Sequence, residues 1–274
     1  MKRYLLVLAG ILLFPLSCFC AETVCPQHYL DSQAPDIFNT KVSGKVRELC
    51  FQEFAVVHSG ITRTPLISAE CLTADAQSKE HPERKDAFHK EGRLPASDRA
   101  ELIDYDHSGF DRGHMAPCAD MTTVESQKES FSLANMVPQD KNINRSIWKE
   151  IEETVRGLAV SNQKLYVVTG PVFSDANVRK LNGRVAVPAF VFKAIYDPIN
   201  KKAGAYIVKN VAKSSYSVIS IAELERITGV TVFIGLPPEI KASAMELPAP
   251  SGGAEGGHKE EKGMVSGFSP ALHK

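Results

Sequence analysis

Between residues 145 and 160 the apolar side chains Ile147, Trp148, Ile151, Val155, Leu158 and Ala159 recur at helical spacing, with Lys149, Glu150, Glu153 and Arg156 between them. No other stretch has so clear a period. It predicts an amphipathic helix whose apolar face must be covered by a sheet or a second helix. Its surroundings read as strand. Residues 51–58 and 65–72 are apolar-rich runs divided by Ser59-Gly60, which predicts a strand pair. Further strands are expected over 164–169, 185–196 and 203–209, the last two joined by the turn Asp197-Pro198-Ile199-Asn200. A second helix is expected over about 217–228 and a final strand over 230–235. Hairpins beside separate helices predict an α+β fold.

Residues 73–107 are charged and interrupted by proline, without a sustained period. They predict a long surface loop with one helical turn near 96–102, and loops of this length in a compact domain usually serve a site. From Pro248 the sequence turns to Pro-Ser-Gly-Gly-Ala-Glu-Gly-Gly and then a charged run, which cannot bury a face. The expected organisation is a signal peptide over 1–20, one domain over 21–241 and a flexible low-complexity tail over 242–274. With 32 basic and 32 acidic side chains in 274 residues, the chain is not a strongly basic nucleic-acid binder. A polyanion would have to be met by a local basic patch or a metal.

The first residues predict export. Lys2 and Arg3 precede a 15-residue apolar run over 5–19, and small residues Cys18 and Cys20 stand before a cut ahead of Ala21. The run contains Pro15 and falls short of the roughly 20 residues of a spanning helix, so no membrane anchor is expected after cleavage. The protein is then periplasmic or secreted. Cleavage removes two basic residues, leaving 30 against 32 acidic and a net charge of −2. It also leaves an even set of cysteines, Cys25, Cys50, Cys71 and Cys118. In an oxidising compartment such a set points to disulfides, with three pairings open. A zinc site using His114 and Cys118, four apart, is the alternative, though the paired short spacings of structural zinc modules are missing.

The segment Gly109-Phe110-Asp111-Arg112-Gly113-His114-Met115-Ala116-Pro117 carries the chemistry. Imidazole has the free pKa best suited to a general base at neutral pH. On a strand Arg112 would share the face of His114, so base and guanidinium would stand together as phosphodiester hydrolysis requires. Downstream, Asn144, Glu152 and Arg156 are spaced by 8 and 4, close to whole helical turns. An amide oxygen and a carboxylate on one stripe suit a hard cation that keeps several waters, above all Mg²⁺. A solvated helix face with a Glu152–Arg156 ion pair is the bland alternative.

Together these elements resemble a known family. Asp111-Arg112-Gly113-His114, then Phe131-Ser132-Leu133-Ala134-Asn135-Met136-Val137-Pro138-Gln139, then Asn144, Trp148, Glu152 and Arg156 at four-residue intervals are similar to the DNA/RNA non-specific endonucleases. These form the DRGH branch of the ββα-metal (His-Me finger) nucleases, which includes endonuclease G. The resemblance runs from about Cys25 to Pro238 and takes in Thr64-Pro65-Leu66, Thr169-Gly170-Pro171 and Leu224-Glu225-x2-Thr228-Gly229.

The resemblance implies a mixed, mainly antiparallel central sheet flanked by helices, and an endonuclease acting on DNA and RNA. It implies His114 as general base, Asn144 as the one protein ligand of Mg²⁺ (Mn²⁺ or another divalent cation being the alternatives), and Glu152 as the acid that orients metal-bound water. Arg112 and Arg156 would meet phosphate, and Asp111 and Asn135 would support the site. Arg84 matches a further phosphate-facing arginine, but loop lengths there leave it unassigned. His107 is expected to be a loop residue without catalytic duty. A homodimer is compatible with the family. A binding module that has lost its chemistry and a phosphodiesterase for small phosphoesters are the rival readings. Cys71 and Cys118 depart from the family, which has an aromatic and a polar residue there. That departure suggests the bridges Cys25–Cys50 and Cys71–Cys118.

Overall fold

Strand after strand pairs with an antiparallel neighbour. β1 (Val46–Cys50), β2 (Ala55–Ser59) and β3 (Thr64–Thr73) form consecutive hairpins. The chain then leaves this sheet and returns much later. In between, β4 (Phe110–His114) and β5 (Met136–Asp140) pair with each other, followed at once by α1 (Lys141–Arg145) and α2 (Ile147–Ser161). β6 (Lys164–Val172) rejoins the sheet beside β3 and is followed by β7 (Phe190–Asp197), β8 (Lys202–Lys209) and β9 (Tyr216–Ile219). The seven-stranded order is β9-β8-β7-β6-β3-β2-β1, antiparallel throughout. A further helix, α3, spans Ile221–Thr228. The computed structural model describes residues 23–173 and 178–250. The expected signal peptide and the chain beyond 250 lie outside the described residues. Among the described residues no helix is long and apolar enough to cross a membrane.

Strand alternation divides the core in two. Ile67 and Ala69 of β3, Val168 of β6 and Phe192 and Ala194 of β7 pack with Ile221 and Leu224 of α3 on one face. Leu72, Val167, Val191, Ile195 and Tyr206 face the other way, against Trp148, Ile151, Val155 and Ala159 of α2. The stripe that predicts α2 is the stripe that is buried. Its opposite flank, with Lys149, Glu152, Glu153 and Arg156, looks onto the β4–β5 unit.

Several boundaries differ from the sequence expectation. The strand expected over 185–196 is split: Val185–Ala186 pairs with Lys180–Leu181, and β7 begins after Pro188, which has no N–H to give a ladder. The helix expected over 217–228 starts late, because Ser220 caps it through its hydroxyl, leaving 216–219 as a strand. Only Val230–Thr231 of the last expected strand is extended, paired with Asp36–Ile37. The helical turn expected near 96–102 lies later, at Leu102–Tyr105, and a further one opens the loop at Ala74–Gln77. Past the boundary drawn at 241 the chain stays packed: Met245 donates its N–H to Ala203, Leu247 is buried and the Tyr206 hydroxyl reaches Pro248.

Cys25 and Cys50 form a disulfide, Cα atoms 5.4 Å apart, tying the N-terminal turn to the edge strand β1. The bridge expected between Cys71 and Cys118 is absent, and both are free thiols. Alternation explains this. Cys71 lies in register with Tyr166, which packs against the α3-side core, whereas its neighbours Glu70 and Leu72 face α2. Cys118 lies on the α2 side, in the wall of a cavity. The sheet separates the two sulfurs.

Candidate active site

β4, α1, α2 and loop residues 81–88 line a cleft of about 690 Å³. His114, at the end of β4, is 9% exposed and stands T-shaped against Phe131 at 4.9 Å between centroids. Its Nε2 has no hydrogen-bond partner among the described residues. Burial and the charge of Arg84 push the ring down to about 3, so it is neutral and unprotonated at physiological pH.

Asn144, in α1, donates its side-chain amide to Asp111 Oδ2 at 3.0 Å. Arg145 grips the same carboxylate with Nε and Nη2, both at 2.8 Å. These bonds hold Asp111 ionised, below the usual carboxylate range despite its partial burial. Asn144 Oδ1 takes part in no hydrogen bond among the described residues, so the amide presents a bare acceptor to the cleft. Glu152, eight residues on, also lines it and makes no hydrogen bond or ion pair among the described residues. Burial pushes its carboxyl up to about 7, against the pull of Lys193.

Three arginines complete the lining. Arg84, unassigned by sequence reading, donates to Asp86 at 2.8 Å and stands over the Phe131 ring. Arg112 lies over Phe88 and Tyr105, with a longer 3.3 Å contact to Asp106. Arg156 is paired, but with Asp120 at 2.7 Å rather than with Glu152. Asn135 is not in the cleft. It is fully buried behind it, donating to Ala116 and Ser130 and accepting from Ser68 and the Ala116 N–H. His107 occupies the turn before β4 with φ 53° and does not line the cleft.

Family-model comparison matches residues 33–239 to the DNA/RNA non-specific endonucleases. The chain belongs to that family. Among its relatives, a mitochondrial nuclease of Saccharomyces cerevisiae is 30% identical over 218 residues, covering 69% of this chain and 66% of the relative. Nuclease C1 of Cunninghamella echinulata is 34% identical, with 61% and 73% covered. The chain thus spans about two thirds of the length of these curated relatives. The fold also resembles the solved structure of an EndoG/EndoGI complex, with a TM-score of 0.64, 24% identity, and 75% of this chain and 91% of that chain covered.

A family of metal-dependent nucleases requires a place for the ion, and the donor set fits one. Asn144 Oδ1 and the Glu152 carboxylate are bare oxygens on one cleft, suited to a hard cation that retains most of its water. Among the described residues no group of three or more His, Cys, Asp and Glu is placed to hold a metal. That leaves His114 and Cys118 without the further ligands zinc takes. In the DRGH segment Gly113 has a packing role: a Cβ there would lie 2.1 Å from Gln139 Oε1 on β5. The segment's conformation is therefore set by its partner strand.

Proposed function

We propose that this chain is an exported, Mg²⁺-dependent endonuclease that hydrolyses phosphodiester bonds of both DNA and RNA. The carrying observation is the convergence of a neutral His114, the free Oδ1 of Asn144 and the arginines 84, 112 and 156 on one open cleft. A neutral imidazole is a base, a bare amide oxygen is a ligand, and guanidinium groups match phosphate oxygens. Export is supported by the pattern of residues 1–20 and by the Cys25–Cys50 disulfide, which belongs to an oxidising compartment.

In this reading His114 removes a proton from a water aimed in line at phosphorus. Asn144, kept in orientation by Asp111, would hold the cation. Glu152 accepts hydrogen bonds from water in the cleft, and Arg84 and Arg112 bind phosphate oxygens. Arg156, held by Asp120, sets positive charge beside Glu152. When bound, a divalent cation would neutralise charge developing on the phosphate and the departing 3′ oxygen, leaving 5′-phosphate ends.

The test is incubation of circular plasmid, single-stranded DNA and RNA with Mg²⁺, with and without EDTA. Internal nicking of plasmid and cleavage of both nucleic acids, abolished by EDTA, is expected. Hydrolysis of small phosphodiesters with plasmid left intact would overturn the reading. His114→Ala should fold normally and lose about 10²–10⁴ in rate.

A further inference from the structure

Lys193 places an ammonium group in the apolar layer between β7 and α2. It is 1% exposed, in a strand whose neighbours Val191 and Ile195 belong to the core. A buried cation persists only where it is hydrogen-bonded and balanced by charge. Nζ donates to Thr169 Oγ1 at 2.7 Å and reaches the carbonyl oxygen of Met115 at 3.5 Å. Met115 follows His114 directly, and its own N–H is bonded to the Asn135 carbonyl at 3.0 Å. Both backbone polar groups of the residue after the proposed base are thus held from behind. The same ammonium acts electrostatically on two carboxyls. One is Glu152, in the cleft. The other is Glu70 of β3, fully buried with both oxygens lacking a hydrogen-bond partner.

We propose that Lys193 is a positioning residue for the nuclease reaction: its buried ammonium anchors the backbone that presents His114 to the cleft. It rests on the nuclease reading given above. An apolar residue would pack this layer at lower cost, and Thr169 alone gives no reason for a charge. Glu152 is faced by Lys193 from β7, Arg156 on its own helix, Asp120 and Arg84 from the loops, and Glu70 from β3. Of these groups, Lys193 is the one bonded to Met115, the residue directly after His114.

The experiment compares the full chain with Lys193→Met, Lys193→Arg and the double variant Lys193→Met/Glu70→Gln, which removes both buried charges and so preserves folding if the single change does not. Two readouts are taken: kcat and KM on plasmid with Mg²⁺, and the backbone carbonyl ¹³C shift of Met115 in metal-free protein. Lys193→Met, or the double variant, should lower kcat about 10- to 100-fold with KM within about twofold, as for small displacements of a reacting group. The Met115 carbonyl signal should shift as its donor is lost, and Lys193→Arg should restore both kcat and the signal. A folded double variant with unaltered kcat and an unmoved Met115 signal would overturn the proposal, leaving Lys193 as a mere partner for Glu70. Failure of the unaltered protein to nick plasmid would sink the nuclease reading instead, with the Met115 signal still deciding whether Lys193 anchors that backbone.

Discussion

The 3.0 Å bond from the Asn144 amide to Asp111 decides which end of that amide looks into the cleft. An amide whose nitrogen is occupied must present its oxygen the other way. Arg145 completes the arrangement by fixing Asp111 with two further bonds. The orientation of the proposed ligand is therefore set by a residue on the neighbouring strand.

Removing that support should weaken the ion more than the chemistry. Asp111→Ala is expected to raise the Mg²⁺ concentration for half-maximal nicking about 10- to 100-fold, the usual effect of losing a residue that orients a ligand. The rate at saturating Mg²⁺ should fall less, whereas Asn144→Ala should lose both. A Mg²⁺ titration of each variant checks this, and an unchanged requirement in Asp111→Ala would remove Asp111 from the metal's support.

Activity should fall with acid through Glu152, not His114. The imidazole stays neutral down to about 3, while burial raises the Glu152 carboxyl to about 7. Below that value the carboxyl is protonated, so log kcat should drop with unit slope as pH falls from about 7. The stability effect has the opposite direction. A folded-state pKa raised above its ordinary 4.5 means that ionising Glu152 in place is unfavourable, and this cost appears as pH rises from 4.5 through about 7. Glu152→Gln should therefore lose the acid limb and gain thermal stability over wild type across that window. Kinetic pH profiles in Mg²⁺-containing buffer and melting curves in Mg²⁺-free buffer test the two directions.

The Cys25–Cys50 bridge lies at the sheet edge, away from the cleft. It closes a 25-residue separation, for which chain entropy gives about 3 kcal/mol. Cys25→Ser/Cys50→Ser should melt roughly 6–12 °C lower in a domain of this size. Its kcat at 25 °C should be unchanged. Thiol counting under denaturing, non-reducing conditions should label Cys71 and Cys118 in the unaltered protein, and no labelling there would restore the second bridge.

Asn135 should behave as a structural residue. Asn135→Ala strands the Ser68 hydroxyl, both polar groups of Ala116 and the Ser130 carbonyl, each buried polar group costing about 1–3 kcal/mol when unpaired. The expected outcome is a loss of several kcal/mol in denaturant unfolding. Normal stability with low activity would instead place it in the chemistry.

Much of this was legible because it rests on short-range periodicity. The face of α2 that packs on the sheet is the stripe Trp148, Ile151, Val155 and Ala159, and the same spacing puts Glu152 and Arg156 on the cleft. What escaped depends on contacts across the fold. Arg84 reaches the cleft from a loop with no period to fix it. Asp120 takes Arg156 from the partner that helical spacing suggested. The Cys71–Cys118 pairing failed because it needed the face of Cys71, set by its strand, and the place of Cys118 in the turn after β4, which no period shows. Glu70 and Lys193 did leave a signal: each is a charge in the middle of an otherwise apolar strand.

The crowding of Gly113 by Gln139 ties two positions into one hereditary unit. A methyl at 113 would meet both Oε1 and Cβ of Gln139, at 2.1 and 2.6 Å, so trimming the opposing side chain to alanine makes too little room. In a selection for revertants of Gly113→Ala, the second-site change that opens the space is glycine at 139. The glycine of the DRGH segment would then be free to vary only in lineages where its partner strand had first given up a side chain.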